Sequence, residues 1–477
     1  MSFSSVAFLI YFLPVTAAIF FALGFSRQAQ NAWLFLAGLV FCAWGDPATA
    51  VALLVSVFAC TAFGLAAERA QESGRRRART VTALGCAFPL GLLFLVRCLP
   101  ALLSGLPWAA AETGAVLPFM RPVGIAFFTL QALSYLLDVS RGEAAAERNP
   151  VSVGLSVAFF PRLLAGPILR HAEIAPQLRE RRTDFAAFAD GVCRFVLGFG
   201  KVTMIAYPLR QAADYVFALS AVREGADGSE SISVALAWLG VIAYALQLYH
   251  GFSGYTDMAV GLSRMFGFTA RENFDHPYAA RSVTEFWRRW HISLSDWFRI
   301  YIWPPFDGRG AGADSNADGG RAARNSLAVW LCIGLWHGAA LTYIIWAFWH
   351  FFWLTVERVT AFDRRSVPGL LRRLYVWIAV GVGWIFFRAH SAADAFSYLR
   401  TALGLSRNAF AGSAVLMLLR EYWPAFLLAL LLSAPLSRFG DAVLPKALAE
   451  IFRVLALAVF LFGGLICLVR AGAVIWV

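Results

Sequence analysis

Ten apolar runs set the limits on what this chain can fold into: Phe3–Leu23, Ala32–Ala66, Val81–Pro100, Val116–Leu137, Phe185–Ser220, Ile232–Leu262, Leu327–Val356, Tyr375–Phe387, Val415–Ser433 and Val454–Leu468. A helix that crosses the hydrocarbon core needs about 20 such residues, and several runs hold enough for two. Gly45-Asp46-Pro47 is expected to break the second run, because proline lacks a backbone donor and disfavours helix in the residue before it. The spacing predicts an all-α, polytopic integral membrane protein with about 11–12 crossings. Composition agrees: 60% hydrophobic and 15% charged residues, with a mean hydropathy of +0.64, exceed what a water-soluble core hides.

Orientation follows from the arginines, since short cytoplasmic loops carry the Lys/Arg excess. Arg75-Arg76-Arg77 with Arg79, Arg179 with Arg181-Arg182, and Arg364-Arg365 with Arg372-Arg373 are expected in the cytoplasm. Val222–Ser231, with Glu224, Asp227 and Glu230 against Arg223, and Leu99–Ala115, without a base, are expected outside. The net charge of +12 is thus explained by topology, and nucleic-acid binding is not expected. Met1-Ser2-Phe3-Ser4-Ser5 is uncharged, so the first run reads as a retained helix rather than a signal peptide.

Two stretches break this regularity. Val151–Ile168 lies between basic segments and is interrupted by Pro161, Arg162 and Gly166-Pro167. It reads as a re-entrant segment, and irregular backbone at membrane depth needs protein or a water-filled cavity around it, so a central pocket is expected. Leu327–Val356 is also flanked by basic stretches. Either it turns back near Gly334–Gly338 as two half-helices, or one basic neighbour is not cytoplasmic.

The chemistry concentrates in NFDHPYAARSVTEFWRRWHISLSDWFRIY (Asn273–Tyr301) and in Gly334-Leu335-Trp336-His337-Gly338. An ionisable residue within a span is a functional candidate by default, which singles out His337. Phe286, Trp287, Trp290, Leu294, Trp297, Phe298 and Tyr301 recur mostly at spacings of three and four, predicting one amphipathic, interfacial helix. Ser282 or Thr284 is its expected cap, with Glu285 in the first turn. A plain membrane-surface anchor accounts for the same pattern.

His350 lies among aromatics that suit an interfacial belt. His171, His276 and His390 fall in expected loops, and His250 adjoins a glycine-punctuated break, Gly251 to Asp257, that would line a pocket. Metal spacing, HEXXH, a nucleophile elbow and a Walker A loop are all absent from the sequence, so no metal is expected. The seven cysteines are scattered singly through apolar runs and read as small hydrophobes.

In order, FSGYTDMAVGLSRMFGF, ENFDHPY, SVTEFWRRWHISLSDWFR, GLWHGA and GWIFFRAHSAADAF resemble the membrane-bound O-acyltransferase family. The resemblance extends to FSSVAFLIYFLP near the start and FFPRLLAGPILRHAEIAPQL in the middle, and so covers most of the chain. More narrowly, it is similar to the bacterial branch that contains the alginate O-acetyltransferase membrane subunit, with lipoteichoic-acid D-alanyl transfer proteins more distant.

The resemblance implies a single membrane-embedded domain over residues 1–477, with tilted helices around a thinned centre. Residues 1–115 and 361–477 would be peripheral helices, and 116–360 the catalytic core. It implies acyl transfer across the bacterial inner membrane, with acetyl-CoA as donor and no bound cofactor. An exported polysaccharide and a periplasmic partner of SGNH or GDSL type would complete the pathway.

Carried over, His337 is the catalytic residue, as general base or transient acyl acceptor. His291 and Trp336 position the acyl group, with Trp290 beside them. Arg288 and Arg289 meet donor phosphates, for which the planar guanidinium suits, or simply snorkel to lipid. Asp257, Asn273 and Glu285 support the pocket. One departure stands out: the turn that follows Tyr301 reads IWPPFDGRG, with a Gly/Asp/Ala-rich insert from Ala311 to Arg321. D-alanyl transfer on the same fold and a transporter without chemistry are the alternatives. A transporter should carry internal repeats, and none is evident.

Overall fold

The computed structural model describes residues 1–97, 124–221, 232–303, 319–362, 365–406, 408–434 and 446–472. The expected outward loops at 222–231 and 99–115, Arg364, and residues 304–318 of the turn after Tyr301 and of the insert lie outside the described residues. Among the described residues the regular structure is helical, with no strand, and an isolated antiparallel bridge joins Phe274 to Trp290. Seven described helices are long and apolar enough to cross a membrane, from Pro47–Glu72 to Glu450–Arg470.

The chain divides into two compact units. The first, Met1–Phe195 with Tyr255–Glu272, opens on a π-helical turn, Ala7–Phe12, that runs into α1 (Leu13–Ala22). It continues through α2 (Arg27–Gly45), α3 (Pro47–Glu72), α4 (Arg75–Arg97), α5 (Ile125–Arg141), α6 (Pro150–Ala158), α7 (Phe160–Leu163) and α8 (His171–Arg179) into α9 (Phe185–Gly200). The expected break at Gly45-Asp46-Pro47 is present. Asp46 ends α2 and caps α3, its carboxylate accepting the Ala48 N–H at 3.0 Å. α6 and α7, with nine and four residues, occupy the stretch read as re-entrant, and neither is long enough to cross.

His171 departs from its expected loop. It opens α8, is buried, and meets Ser156 Oγ through Nδ1 at 3.0 Å. Burial pushes its pKa down to about 4.

The second unit is Val196–Gly254 with Asn273–Val477. A π-helical turn, Lys201–Ala206, leads from α9 into α10 (Tyr207–Ala221). There follow α11 (Val234–Met265), α12 (Val283–Arg289), α13 (Ile292–Tyr301), α14 (Gly319–His337), α15 (Leu341–Val359), α16 (Gly369–Arg388), α17 (Ala392–Ala402), α18 (Ser413–Ser433) and α19 (Lys446–Arg470). The core of this unit includes Phe286 of α12, Trp290 just after it, Trp330 of α14, Trp346 of α15 and Trp384 of α16.

The glycines after His250 do not break α11, which is continuous over 32 residues. They serve packing instead: a Cβ on Gly254 would stand 2.8 Å from the Gly198 carbonyl oxygen. Small residues let helix backbones approach in this way in membranes. His250 is accordingly a buried core residue, hydrogen-bonded through Nε2 to the Ala429 carbonyl at 2.9 Å and to Ser433 Oγ at 3.1 Å.

Candidate active site

The aromatic periodicity from Phe286 to Tyr301 runs through two helices rather than one. α12 begins where Ser282 Oγ accepts the Glu285 N–H at 3.0 Å, so Ser282, not Thr284, is the cap. Glu285 itself accepts the Arg281 N–H at 2.7 Å. The helix stops at Arg289 because another segment claims its backbone. Arg289 O accepts the Asp275 N–H at 3.0 Å, Phe274 and Trp290 form the antiparallel bridge, and the Ile292 N–H turns to Asn273 O at 3.0 Å. His291 therefore sits in the left-handed region, at φ 47°. A non-glycine residue there costs about 1–3 kcal/mol unless its surroundings hold it.

The side chains do hold it. Asn273, fully buried, accepts the Ser293 backbone N–H and the Ser293 hydroxyl on Oδ1, each at 3.0 Å. The same oxygen lies 3.2 Å from His291 Nδ1. An oxygen that accepts a backbone N–H carries no hydrogen to give, so the proton in this contact belongs to Nδ1. His291 Nε2 is buried and has no hydrogen-bonding partner among the described residues.

His337 closes α14, and the chain turns back through Gly338 into α15, which realises the two-helix alternative for Leu327–Val356. Gly338 takes φ 157°, and a Cβ on it would stand 3.0 Å from the Tyr343 ring. The imidazole packs within an aromatic cage. Its centroid lies 4.8 Å from that of Trp336, 5.0 Å from Phe387, 5.3 Å from Trp346 and 6.0 Å from Tyr343.

His291 and His337 line one cavity of about 180 Å³, together with Trp287, Trp290, Trp330, Trp346, Trp384 and Phe387. That is well below the roughly 300–1,000 Å³ of sites for drug-sized ligands, so a short acyl group suits it and a sugar polymer does not. Its walls are nearly all carbon, which strengthens any hydrogen bond made inside.

The structure brings together only part of the expected set. His291, His337 and Trp290 line the cavity. Trp336 stands behind it, its ring 6.5 Å from His291, and Asn273 supports His291. Glu285 and Arg289 pair with each other at 2.5 Å, while Arg288 is exposed. Asp257 belongs to the first unit, where it accepts Arg194 at 2.6 Å, and is not a lining residue. His276 precedes the short helical turn Pro277–Ala279, its Nδ1 3.2 Å from Asp275, and His390 is exposed. Among the described residues no His, Cys, Asp or Glu group is arranged to hold a metal.

His350 is not part of an interfacial belt. It is fully buried and accepts the Trp287 indole N–H on Nδ1 at 3.3 Å. The sequence did not single out Glu357, which falls just past the Leu327–Val356 apolar run. Its buried carboxylate accepts the backbone N–H of Val283 at 2.5 Å and of Thr284 at 2.8 Å, the Thr284 hydroxyl at 2.6 Å, and the Tyr375 hydroxyl at 3.0 Å. Both residues lie on α15, two turns apart, and together they clamp α12 at its start and its middle.

Comparison with known proteins agrees with this architecture. Residues 155–392 match the membrane-bound O-acyltransferase family. A probable alginate O-acetylase of Azotobacter vinelandii is 38% identical over 82% of this chain and 76% of its own length. A peptidoglycan O-acetyltransferase of Helicobacter pylori is 29% identical over 85% of this chain and 80% of its own. A teichoic acid D-alanyltransferase of Bacillus subtilis is 26% identical over 48% and 56%. The chain belongs to the membrane-bound O-acyltransferase family and is a multi-pass membrane O-acyltransferase.

Proposed function

We propose that the protein moves an acetyl group from cytoplasmic acetyl-CoA across the bacterial inner membrane for O-acetylation of an exported polysaccharide, completed by a periplasmic partner. The observation that carries this reading is the small aromatic cavity holding His291 and His337, in a chain 38% identical to a probable alginate O-acetylase. In the transfer, a hydroxyl oxygen adds to the thioester carbonyl carbon and its proton passes to an imidazole. The C–S bond breaks, and the departing thiolate takes that proton, leaving an ester and free thiol. A neutral imidazole suits the task, since its ordinary pKa lies near working pH.

His337 is the centre of the proposed site, as the base for the hydroxyl or as the group that meets the acyl carbon. Exposed Arg288 is free to meet donor phosphates, whereas Arg289 first has to leave Glu285. D-alanyl transfer fits a cavity of this size equally, and the more distant Bacillus subtilis relative is its support.

The test is acyl transfer by the purified protein in nanodiscs with radiolabelled acetyl-CoA, alongside His337→Ala. CoA release that disappears in the variant is expected. Wild-type turnover by the variant would remove His337 from the chemistry. Turnover with a D-alanyl thioester but not with acetyl-CoA would move the reading to D-alanyl transfer.

A further inference from the structure

Acyl transfer makes two opposite demands on the cavity wall. A base must accept the proton of the attacking hydroxyl, and the carbonyl oxygen, which gains charge as that hydroxyl adds, needs a donor. The nitrogen by which His337 acts as base is bare, so it has no hydrogen to give to the carbonyl. His291 is committed elsewhere, with Nδ1 on Asn273 and Nε2 buried.

Ser295 answers the second demand. It carries the only hydroxyl among the described residues that line the cavity, and it is half-buried there. Its side chain makes no hydrogen bond to the described residues. Other helix hydroxyls in this chain turn back on their own backbone: Ser134 Oγ donates to Leu130 O at 2.9 Å, Thr355 Oγ1 to Phe351 O at 2.8 Å and Thr360 Oγ1 to Val356 O at 2.8 Å.

The backbone at His291 explains the difference. The carbonyl four residues before Ser295 is that of His291, and it already accepts the Leu294 and Ser295 N–H groups, each at 3.1 Å. Two donors fill its two lone pairs. The other N–H groups of this first turn are spent as well, Ile292 on Asn273 O and Ser293 on Asn273 Oδ1, each at 3.0 Å. At the positive end of α13 the Ser295 hydroxyl thus remains a donor with no internal acceptor, and that end favours negative charge. Of the lining indoles, Trp287 donates to His350 at 3.3 Å and Trp384 to the Tyr278 hydroxyl at 3.2 Å.

We infer that the Ser295 hydroxyl donates to the carbonyl oxygen of the acyl group in the cavity and holds its charge while the acceptor adds. This rests on the acyl-transfer reading and deepens it by naming the group that meets the oxygen. The acceptor oxygen bonds to the thioester carbonyl carbon, its proton passes to His337, and the carbonyl π pair moves onto the oxygen that Ser295 holds. Ser295 keeps its own proton. The C=O then re-forms, the C–S bond breaks, and the thiolate leaves with the proton from His337. A short acyl group has no other polar atom to bury, and a buried carbonyl oxygen without a donor is costly.

Ser295→Ala tests this with three readouts on purified protein in nanodiscs. The kcat for CoA release is expected to fall about 10²–10³-fold, the usual cost of removing one oxyanion donor, with KM for acetyl-CoA little changed. The unfolding temperature should hold, since no internal hydrogen bond is lost. In infrared difference spectra with carbonyl-labelled acetyl-CoA, the bound carbonyl stretch should move to higher frequency in the variant, as a carbonyl does on losing a donor. An unchanged kcat overturns the inference. So does a band that stays in place, which would give the oxygen to another donor such as the Trp290 or Trp330 indole. A variant that unfolds early or fails to fold shows a structural hydroxyl and overturns it too. Absence of any bound acetyl band in wild type instead defeats the acetyl-CoA reading itself, and the inference falls with it.

Discussion

Glu357 grips Thr284 twice through one carboxylate oxygen, which accepts the backbone N–H at 2.8 Å and the side-chain hydroxyl at 2.6 Å. The other oxygen takes the Val283 N–H and the Tyr375 hydroxyl. A buried carboxylate is tolerated only when its lone pairs are filled, and here they are, by three groups at the positive end of α12 and by the Tyr375 hydroxyl of α16. The helix that delivers Trp287, Trp290 and His291 to the cavity is anchored at its first turn by this charge.

Replacing Glu357 with Leu should therefore cost about 3 kcal/mol of stability, since buried donors lose a charged acceptor. Thermal unfolding in detergent measures it. Transfer activity should fall further than stability alone explains. A variant that unfolds at the wild-type temperature would show that the clamp carries no weight.

His337→Ala should behave in the opposite way. Its ring is only partly buried, so unfolding should shift little, while acyl transfer falls by about 10²-fold or more. Comparable losses of fold and activity would argue for a packing role.

Gly338→Ala places a Cβ 3.0 Å from the Tyr343 ring at a φ that side chains rarely adopt. The expected cost is about 1–3 kcal/mol. Because the turn sets the end of α14, CoA release should drop with it. Ordinary activity together with ordinary stability would mean that the turn accommodates a side chain.

Ile333 lines the cavity, and Ile333→Ala should lengthen the acyl chain that fits. Each extra methylene in an apolar pocket is worth about 1–3 kcal/mol of discrimination. The ratio of butyryl to acetyl transfer should rise at least ~10-fold. An unchanged ratio would place the acyl group elsewhere.

His171 offers a pH test outside the spans. Its pKa is lowered from 6.5 in the unfolded chain to about 4 by burial. As pH falls below 6.5, the unfolded chain takes up a proton that the folded one refuses, so stability drops between those values and levels off beneath them. His171→Gln should flatten that decline in unfolding measured from pH 7 to 4. An identical decline in wild type and variant would assign it to other groups.

The large features were written in the sequence because they rest on strong local rules. Gly45-Asp46-Pro47 punctuates two helices as proline chemistry demands, and Ser282 caps α12 as its side chain allows. A turn near Gly334–Gly338 was one of the two readings that the basic flanks of Leu327–Val356 left open, and the chain takes it. What escaped depends on partners far along the chain. The aromatic repeat continues across His291, so nothing local announces that residues 273–275 interrupt the helix there. His350 carries the composition of an interfacial belt, and only its contact with Trp287 puts it in the core. Glu357 falls just past an apolar run, and only the donors at Val283 and Thr284, more than seventy residues earlier, give it a role.

The cavity is walled by the indoles of Trp287, Trp290, Trp330, Trp346 and Trp384 around its imidazoles. Indole emission responds to polarity and to a nearby cationic ring, so whatever enters or reacts there alters the light the protein emits. The enzyme carries its own optical probe at the seat of reaction, and stopped-flow fluorescence would time each arrival and departure without a label.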